Sequence, residues 1–266
     1  NEAEEKLADM LDSSKLTEKR LYFPKDIQRQ LEDLESFLQP DNFRKVQERM
    51  KEKGFRYGFA CLFYGSPGTG KTETVYQLAR QTGRNIMVVD VPQLKSMWVG
   101  QSEKNVKGLF DRYREQVKKA KLTPILLFNE ADAIIGKRKS GAENAVDKME
   151  NSLQNIILQE METLDGIMIA TTNLQENLDK AFERRFLYKI KFDKPTEEAR
   201  ACIWRSMIPD LSELDVHTLA SKYDFSGGQI ENIARHYAID NILHGQCEDV
   251  LSMLITHCDN ERMDNT

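Results

Sequence analysis

Short, almost wholly apolar runs punctuate the middle of the chain. They cover residues 59–64, 85–91, 124–128, 167–172 and 188–192. Each has the length of a strand buried on both faces. Between them, 71–82, 103–121 and 146–161 return an apolar side chain every three or four residues, the period of a helix packed on one side. This alternation predicts an α/β fold, a five-stranded parallel sheet with helices on both faces. Ligands of such sheets gather at the carboxyl ends of the strands. After Pro195 only helical periodicity remains. Thr196 can cap a helix whose first turn holds Glu197 and Glu198. Ser226-Gly227-Gly228-Gln229 has the form of a capping box, and Ile230, Ile233, Ala234, Tyr237 and Ile242 follow it in helical rhythm. Residues 195–266 are therefore expected to form a small all-helical domain after a main domain at 21–194. Two amphipathic helices, 26–38 and 41–53, are separated by Gln39-Pro40. Residues 1–20 are strongly charged, with Leu7, Met10 and Leu11 on one helical face, and read as a linker or the tail of an absent domain.

Composition narrows the class without changing this picture. The 266 residues are 40% hydrophobic and 30% charged, enough for a packed core. No apolar run approaches the ~18 residues of a membrane-spanning helix. The net charge of −5 gives no basic field for nucleic acid. Cys61, Cys202, Cys247 and Cys258 form no metal-binding spacing, and the histidines form no HExxH. Scattered thiols fit a reducing compartment, and the expected location is cytoplasmic. The charged start is unlike a signal peptide, and a first residue other than Met suggests an excerpt of a longer protein.

Gly65-Ser66-Pro67-Gly68-Thr69-Gly70-Lys71-Thr72 satisfies G-x-x-x-x-G-K-[ST] in full, between an apolar strand pattern and a helical one. Glycines let successive main-chain N–H groups close on phosphates, and the helix N-terminus adds partial positive charge. Ser66, Pro67, Gly68, Thr69, Gly70, Lys71, Thr72 and Glu73 are the expected phosphate contacts. Lys71 is placed to reach the β- and γ-phosphates and Thr72 to reach Mg²⁺.

The apolar run Ile125-Leu126-Leu127-Phe128 ends in Asn129-Glu130. A carboxylate at a strand end beside a phosphate loop can activate an attacking water, and Glu130 takes that role. Asn129 stands where most such strands end in Asp. Its carbonyl can accept from a metal-bound water, but the negative charge is gone. Weakened Mg²⁺ affinity with surviving hydrolysis is the expectation, with Asp132 supplying part of the missing charge.

Across residues 21–260 these features resemble the AAA branch of the AAA+ ATPases. Trp98-Val99-Gly100-Gln101-Ser102-Glu103-Lys104-Asn105 is similar to the family's W-V-G-E-S-E-K-N, Asn129-Glu130-Ala131-Asp132-Ala133 to D-E-A-D/I-A, and Ala170-Thr171-Thr172-Asn173 to its sensor strand. Leu178-Asp179-Lys180-Ala181-Phe182-Glu183-Arg184-Arg185-Phe186 resembles the arginine-finger segment. The resemblance implies that Asn173 orients the attacking water, and that Arg184 and Arg185 reach a neighbouring subunit's ATP. It implies that Gly227 and Gly228 approach the nucleotide while Ile203 and Met207 pack on adenine, with Tyr22 or Phe23 also near the base. No arginine stands at the start of that helix, where Gln229 and Glu231 flank it, as in the AAA branch. Trp98 and Val99 resemble the first pore loop, which grips polypeptide, although Met97 replaces the basic residue often found before it. The basic run 136–141 resembles the second pore loop.

The resemblance implies a homo-hexamer that hydrolyses ATP with Mg²⁺ and remodels or threads protein substrates. A nucleotide-gated scaffold with weak hydrolysis is the alternative that Asn129 suggests. A DNA-directed translocase conflicts with the acidic balance. A small-molecule phosphotransferase would need neither arginine finger nor pore aromatic, and no protease motif is encoded.

Overall fold

The computed structural model describes residues 8–98, 103–137 and 145–263. Strands run over Ala8–Leu11 (β1), Phe59–Gly65 (β2), Ile86–Asp90 (β3), Ile125–Asn129 (β4), Ile167–Thr172 (β5) and Tyr188–Phe192 (β6). They form one six-stranded sheet in the order β1-β3-β4-β5-β2-β6. β2, β3, β4 and β5 pair in parallel, so crossover helices must cover the sheet. Alternate residues confirm this. Ala60 and Leu62 join the core cluster that contains Val106, Phe110 and Ile157 of two crossover helices. Cys61 and Phe63 face the opposite side and are fully buried as well. The helix Lys71–Thr82 touches β4 and β5 through a different set of side chains, Val75, Leu78 and Ala79 among those buried.

One element differs from the expectation of a five-stranded sheet preceded by a charged linker with a helical face. Residues 8–11 form a sixth strand, β1, which pairs antiparallel to β3 with Ala8 opposite Val89 and Leu11 opposite Ile86. Four residues contain too little pattern to separate a period of two from one of 3.6. The segment after β1 is also tied down. Asp12 caps a turn at Ser13–Lys15, the Ser13 N–H donates to Asn85 Oδ1 at 3.1 Å, and Gln77 donates to the Thr17 carbonyl at 3.0 Å.

The chain divides into two compact units. The first holds Asn1–Lys19, Arg29–Gly65 and Lys71–Lys191 and is built on the sheet. The second holds Arg20–Gln28, Ser66–Gly70 and Phe192–Thr266. Its helices run over Glu197–Met207, Glu213–Lys222, Gly227–His244 and Val250–Met263. Their caps are those the sequence specifies: Thr196 Oγ1 accepts from Ala199 N–H, and Ser226 with Gln229 closes both bonds of a capping box. Trp204, Val216, Leu219, Ile230 and Leu254 are fully buried at its centre.

Candidate functional site

The carboxyl ends of β2, β4 and β5 bring together most of the polar residues singled out above within the sheet unit. Lys71 opens the helix that succeeds β2. Its side chain is buried, and the ammonium donates to the Gly65 carbonyl at 2.9 Å. Burial pushes its pKa down to about 8, while the Asp132 carboxylate pulls the other way. One turn of the same helix carries Thr72, whose hydroxyl donates to Asn129 Oδ1 at 2.8 Å. The Thr171 hydroxyl of β5 donates to the same oxygen at 2.9 Å. Asn129 thus presents its carbonyl to two hydroxyls, one from the helix after β2 and one from the neighbouring strand. A Thr hydroxyl that donates to Asn129 keeps two lone pairs for a cation. This is the donor chemistry a hard divalent ion takes, so the residues fit Mg²⁺ without an aspartate.

Glu130 comes next in the chain, exposed and with φ of 55°. A left-handed conformation is uncommon for a residue with a Cβ, and here it turns the chain out of the strand. Asp132 is engaged otherwise than its charge alone suggests. Its Oδ1 accepts from the Thr172 hydroxyl at 2.6 Å and from the Asn173 N–H at 3.0 Å. Asn173 is exposed just past the end of β5.

In the second unit, Gly68 and Gly70 have φ of 70° and 92°. Glycine tolerates these values, and they turn the loop that the sequence assigns to phosphate. Thr69 bonds back to the Ser66 carbonyl at 2.7 Å. The Gly228 N–H donates to the Gly68 carbonyl at 3.0 Å. A Cβ on Gly227 would lie 3.7 Å from Ile203, whereas one on Gly228 would lie 3.2 Å from Gly68 Cα. Ile203 is buried and Met207 half-buried in the core of this unit. A cleft of about 570 Å³ is lined by Arg20, Tyr22, Phe23, Lys25, Thr196 and Cys202 among others, and neither Ile203 nor Met207 is among its described walls.

The arginine segment is fixed by its apolar neighbours. Asp179 caps the short helix Lys180–Glu183, and Phe182 and Phe186 are buried one turn apart. Arg184, between them, faces solvent. Arg185 is engaged within its own unit, donating to the Ala181 carbonyl at 2.9 Å and to the Glu162 carboxylate. The helix Val91–Trp98 is anchored by Asp90, which accepts from Gln93 N–H, and by a 2.6 Å ion pair between Lys95 and Glu150. The Trp98 side chain and Val99 lie outside the described residues, as does most of 136–141 beyond Lys137.

Sequence reasoning assigns no role to Thr171 or Thr172. Both are buried, and each hydroxyl bonds to a residue of the acidic turn. Their side-by-side position in the sensor-strand motif is the signal that points to them.

Residues 61–194 match the family model described as ATPase family associated with various cellular activities (AAA). The chain is similar to a putative cell division cycle ATPase of Plasmodium falciparum, with 31% identity over 222 residues, 79% of this chain and 17% of the relative. It is similar to 26S proteasome regulatory subunit 6A of Saccharomyces cerevisiae, with 30% identity over 235 residues, 83% of this chain and 51% of the relative. Fidgetin-like protein 1 of Drosophila melanogaster is 30% identical over 203 residues, 74% of this chain and 38% of the relative. The chain therefore spans at most about half the length of these relatives.

Proposed function

The chain belongs to the AAA family of ATPases, and from that premise we propose that it hydrolyses Mg²⁺-ATP within a homo-hexamer and couples turnover to remodelling or threading of polypeptide substrates in the cytoplasm. Residues 66–73 bind the phosphates in this reading. Lys71 supplies positive charge to the β- and γ-phosphates, which favour its ammonium form. The Thr72 hydroxyl oxygen would hold Mg²⁺, and the Asn129 carbonyl would support it by accepting from that hydroxyl or, in exchange for one of its hydroxyl donors, from a water on the ion. The ion's contribution, when bound, is to neutralise charge building on the phosphate oxygens. Glu130 accepts a proton from the attacking water, and the exposed Asn173 amide orients that water. Arg184 completes the site of a neighbouring subunit, with Arg185 beside it. Ile203, Met207, Gly227 and Gly228 remain proposed contacts for the base and sugar. Trp98 and Val99 are proposed to grip the polypeptide.

The observation that carries this reading is the shared oxygen Asn129 Oδ1, which accepts from Thr72 at 2.8 Å and Thr171 at 2.9 Å next to Glu130. It supports a metal-binding hydroxyl and a base at one strand end. No helix among the described residues is long and apolar enough to cross a membrane.

Steady-state ATP turnover against protein concentration, paired with sizing with and without ATP, tests the proposal. Turnover per chain should rise as the chain assembles. Lys71→Ala should lose nucleotide binding, Glu130→Gln should retain bound ATP, and Trp98→Ala should hydrolyse ATP without moving substrate. Concentration-independent turnover by a monomer would exclude the composite site. A second reading, a scaffold that holds ATP and hardly hydrolyses it, draws on the neutral Asn129. Turnover that stays near background at saturating Mg²⁺ would favour it.

A further inference from the structure

The ends of β4 and β5 hold one another beyond the last pair of their regular ladder. The last ladder pair is Phe128 with Ala170. Past it, one main-chain bond and a set of side-chain bonds take over from the regular ladder. The Thr171 hydroxyl donates to Asn129 Oδ1 at 2.9 Å and accepts from the Glu130 N–H at 3.1 Å, and the Thr171 carbonyl accepts from the Ala131 N–H at 2.8 Å. Both peptide N–H groups that bracket Glu130 therefore end on Thr171. In the other direction, Asp132 Oδ1 accepts from the Thr172 hydroxyl at 2.6 Å and from the Asn173 N–H at 3.0 Å. The Thr172 hydroxyl also accepts from the Leu174 N–H at 3.1 Å.

We infer that Thr171 and Asp132 are positioning residues that form a reciprocal latch: Thr171 sets the backbone under Glu130, and Asp132 sets the backbone under Asn173. The inference rests on the roles proposed above for Glu130 and Asn173. Its physical basis is the left-handed backbone of Glu130, φ 55°. Such a conformation persists only where its surroundings over-determine it. The regular ladder has ended here, and Thr171 supplies both donors' partners, its hydroxyl for the Glu130 N–H and its carbonyl for the Ala131 N–H. Thr171 and Thr172 are 2% and 1% exposed, so their hydroxyls need partners inside the protein. Of the partners open to them, they take those on the segment that carries the base. The two bonds run in opposite senses, so displacement of either strand end moves both the proton acceptor and the water-orienting amide.

Thr171→Val keeps the shape of the side chain and removes both of its hydrogen bonds. Thr171→Ser keeps them. ATP turnover and the affinity for a fluorescent ATP analogue are measured on each, with thermal midpoints to report folding. Thr171→Val is expected to lose about tenfold or more in kcat through misplacement of the base, with analogue Kd within about threefold of native. Thr171→Ser is expected to stay within about threefold in both. Added to Glu130→Gln, Thr171→Val should cost less than about twofold more, because its effect acts through Glu130. Asp132→Ala and Asp132→Asn both remove the charge near Lys71, but only the second keeps an acceptor for Thr172 and Asn173. The alanine variant should therefore be the slower by about tenfold. A smaller loss in Thr171→Val, an equal loss in Thr171→Ser, an affinity that falls in step with kcat, or equal rates for the two Asp132 variants overturns the latch. Native-rate turnover by Glu130→Gln overturns the base assignment and the latch with it. An inactive Glu130→Gln beside an active Thr171→Val overturns the latch alone.

Discussion

The Gly228 N–H donates to the Gly68 carbonyl at 3.0 Å, joining the start of a helix to the bend of the glycine-rich loop. The close approach leaves no room for a side chain at residue 68. A Cβ there would meet Ser226 Oγ at 2.7 Å, the same oxygen that caps the helix through Gln229 N–H. Gly68→Ala is therefore expected to cost about 1 kcal/mol for its left-handed φ and about 1 kcal/mol more for the disturbed cap. Gly54 separates the two effects. Its φ is 68°, and a Cβ there would have no neighbour within 4 Å, so Gly54→Ala carries only the backbone cost. Chemical denaturation of both variants measures the difference. Equal losses would mean that the Ser226 contact contributes nothing.

Lys71 predicts proton uptake on nucleotide binding. Burial lowers its pKa from 10.5 to about 8. An arriving polyphosphate favours the charged ammonium and raises that value. Near pH 8 the chain should take up about half a proton per nucleotide bound, and near pH 6 almost none from this group, because the lysine is already charged. Calorimetry in buffers of different ionisation enthalpy reads this directly. The stability of the free chain has a matching sign. With the folded pKa depressed, the unfolded state holds more protons between about pH 8 and 10.5, so the burial penalty is full below pH 8 and is relieved as pH rises through that window. Uptake that does not grow between pH 6 and 8 would contradict a buried, partly neutral Lys71.

Much of the fold is legible in the sequence because its signals are redundant. Apolar runs alone bound β5 and β6 correctly, and the capping box at Ser226 needs only two residue types at the right spacing. The loop at 65–72 combines a motif with a strand before it and a helix after it. β1 is illegible for the opposite reason: its register comes from pairing with β3, which a local pattern does not contain. The role of Asp132 is hidden in the same way. Its charge can be read, but its partners Thr172 and Asn173 lie about forty residues away, across a strand crossing. The difference between Arg184 and Arg185 likewise depends on Glu162, which no motif mentions.

Asn129 offers an oxygen to Thr72 and Thr171 but no charge. Asn129→Asp keeps that acceptor and adds an anion beside the Thr72 hydroxyl. Divalent-ion affinity rises with ligand charge. The variant should therefore reach half-maximal turnover at a free Mg²⁺ concentration lower by about threefold or more, equivalent to about 0.7 kcal/mol. A titration of turnover against free Mg²⁺ at saturating ATP measures this. An unchanged midpoint would show that Asn129 is not near the ion during turnover.

Arg184 and Arg185 should separate by assay. Arg185 is held by the Ala181 carbonyl and the Glu162 carboxylate, so Arg185→Ala removes bonds within its own unit and should lower stability by about 1–2 kcal/mol. Arg184 is exposed on a segment anchored by Phe182 and Phe186, so Arg184→Ala should leave stability within about 0.5 kcal/mol. Its effect should appear only in turnover. If the guanidinium acts on a neighbour's nucleotide, Arg184→Ala and Glu130→Gln are each inactive alone, for different reasons. The first keeps its base but gives its neighbour no arginine; the second gives the arginine but has no base. Mixed in equal amounts, some interfaces pair an intact base with an intact arginine, and turnover returns. A side chain acting within its own subunit cannot be rescued in this way, because every chain in the mixture would still lack one of the two groups. Recovery of turnover on mixing therefore discriminates action in trans from action in cis, and its absence in mixtures shown by sizing to co-assemble would remove Arg184 from the neighbour's site.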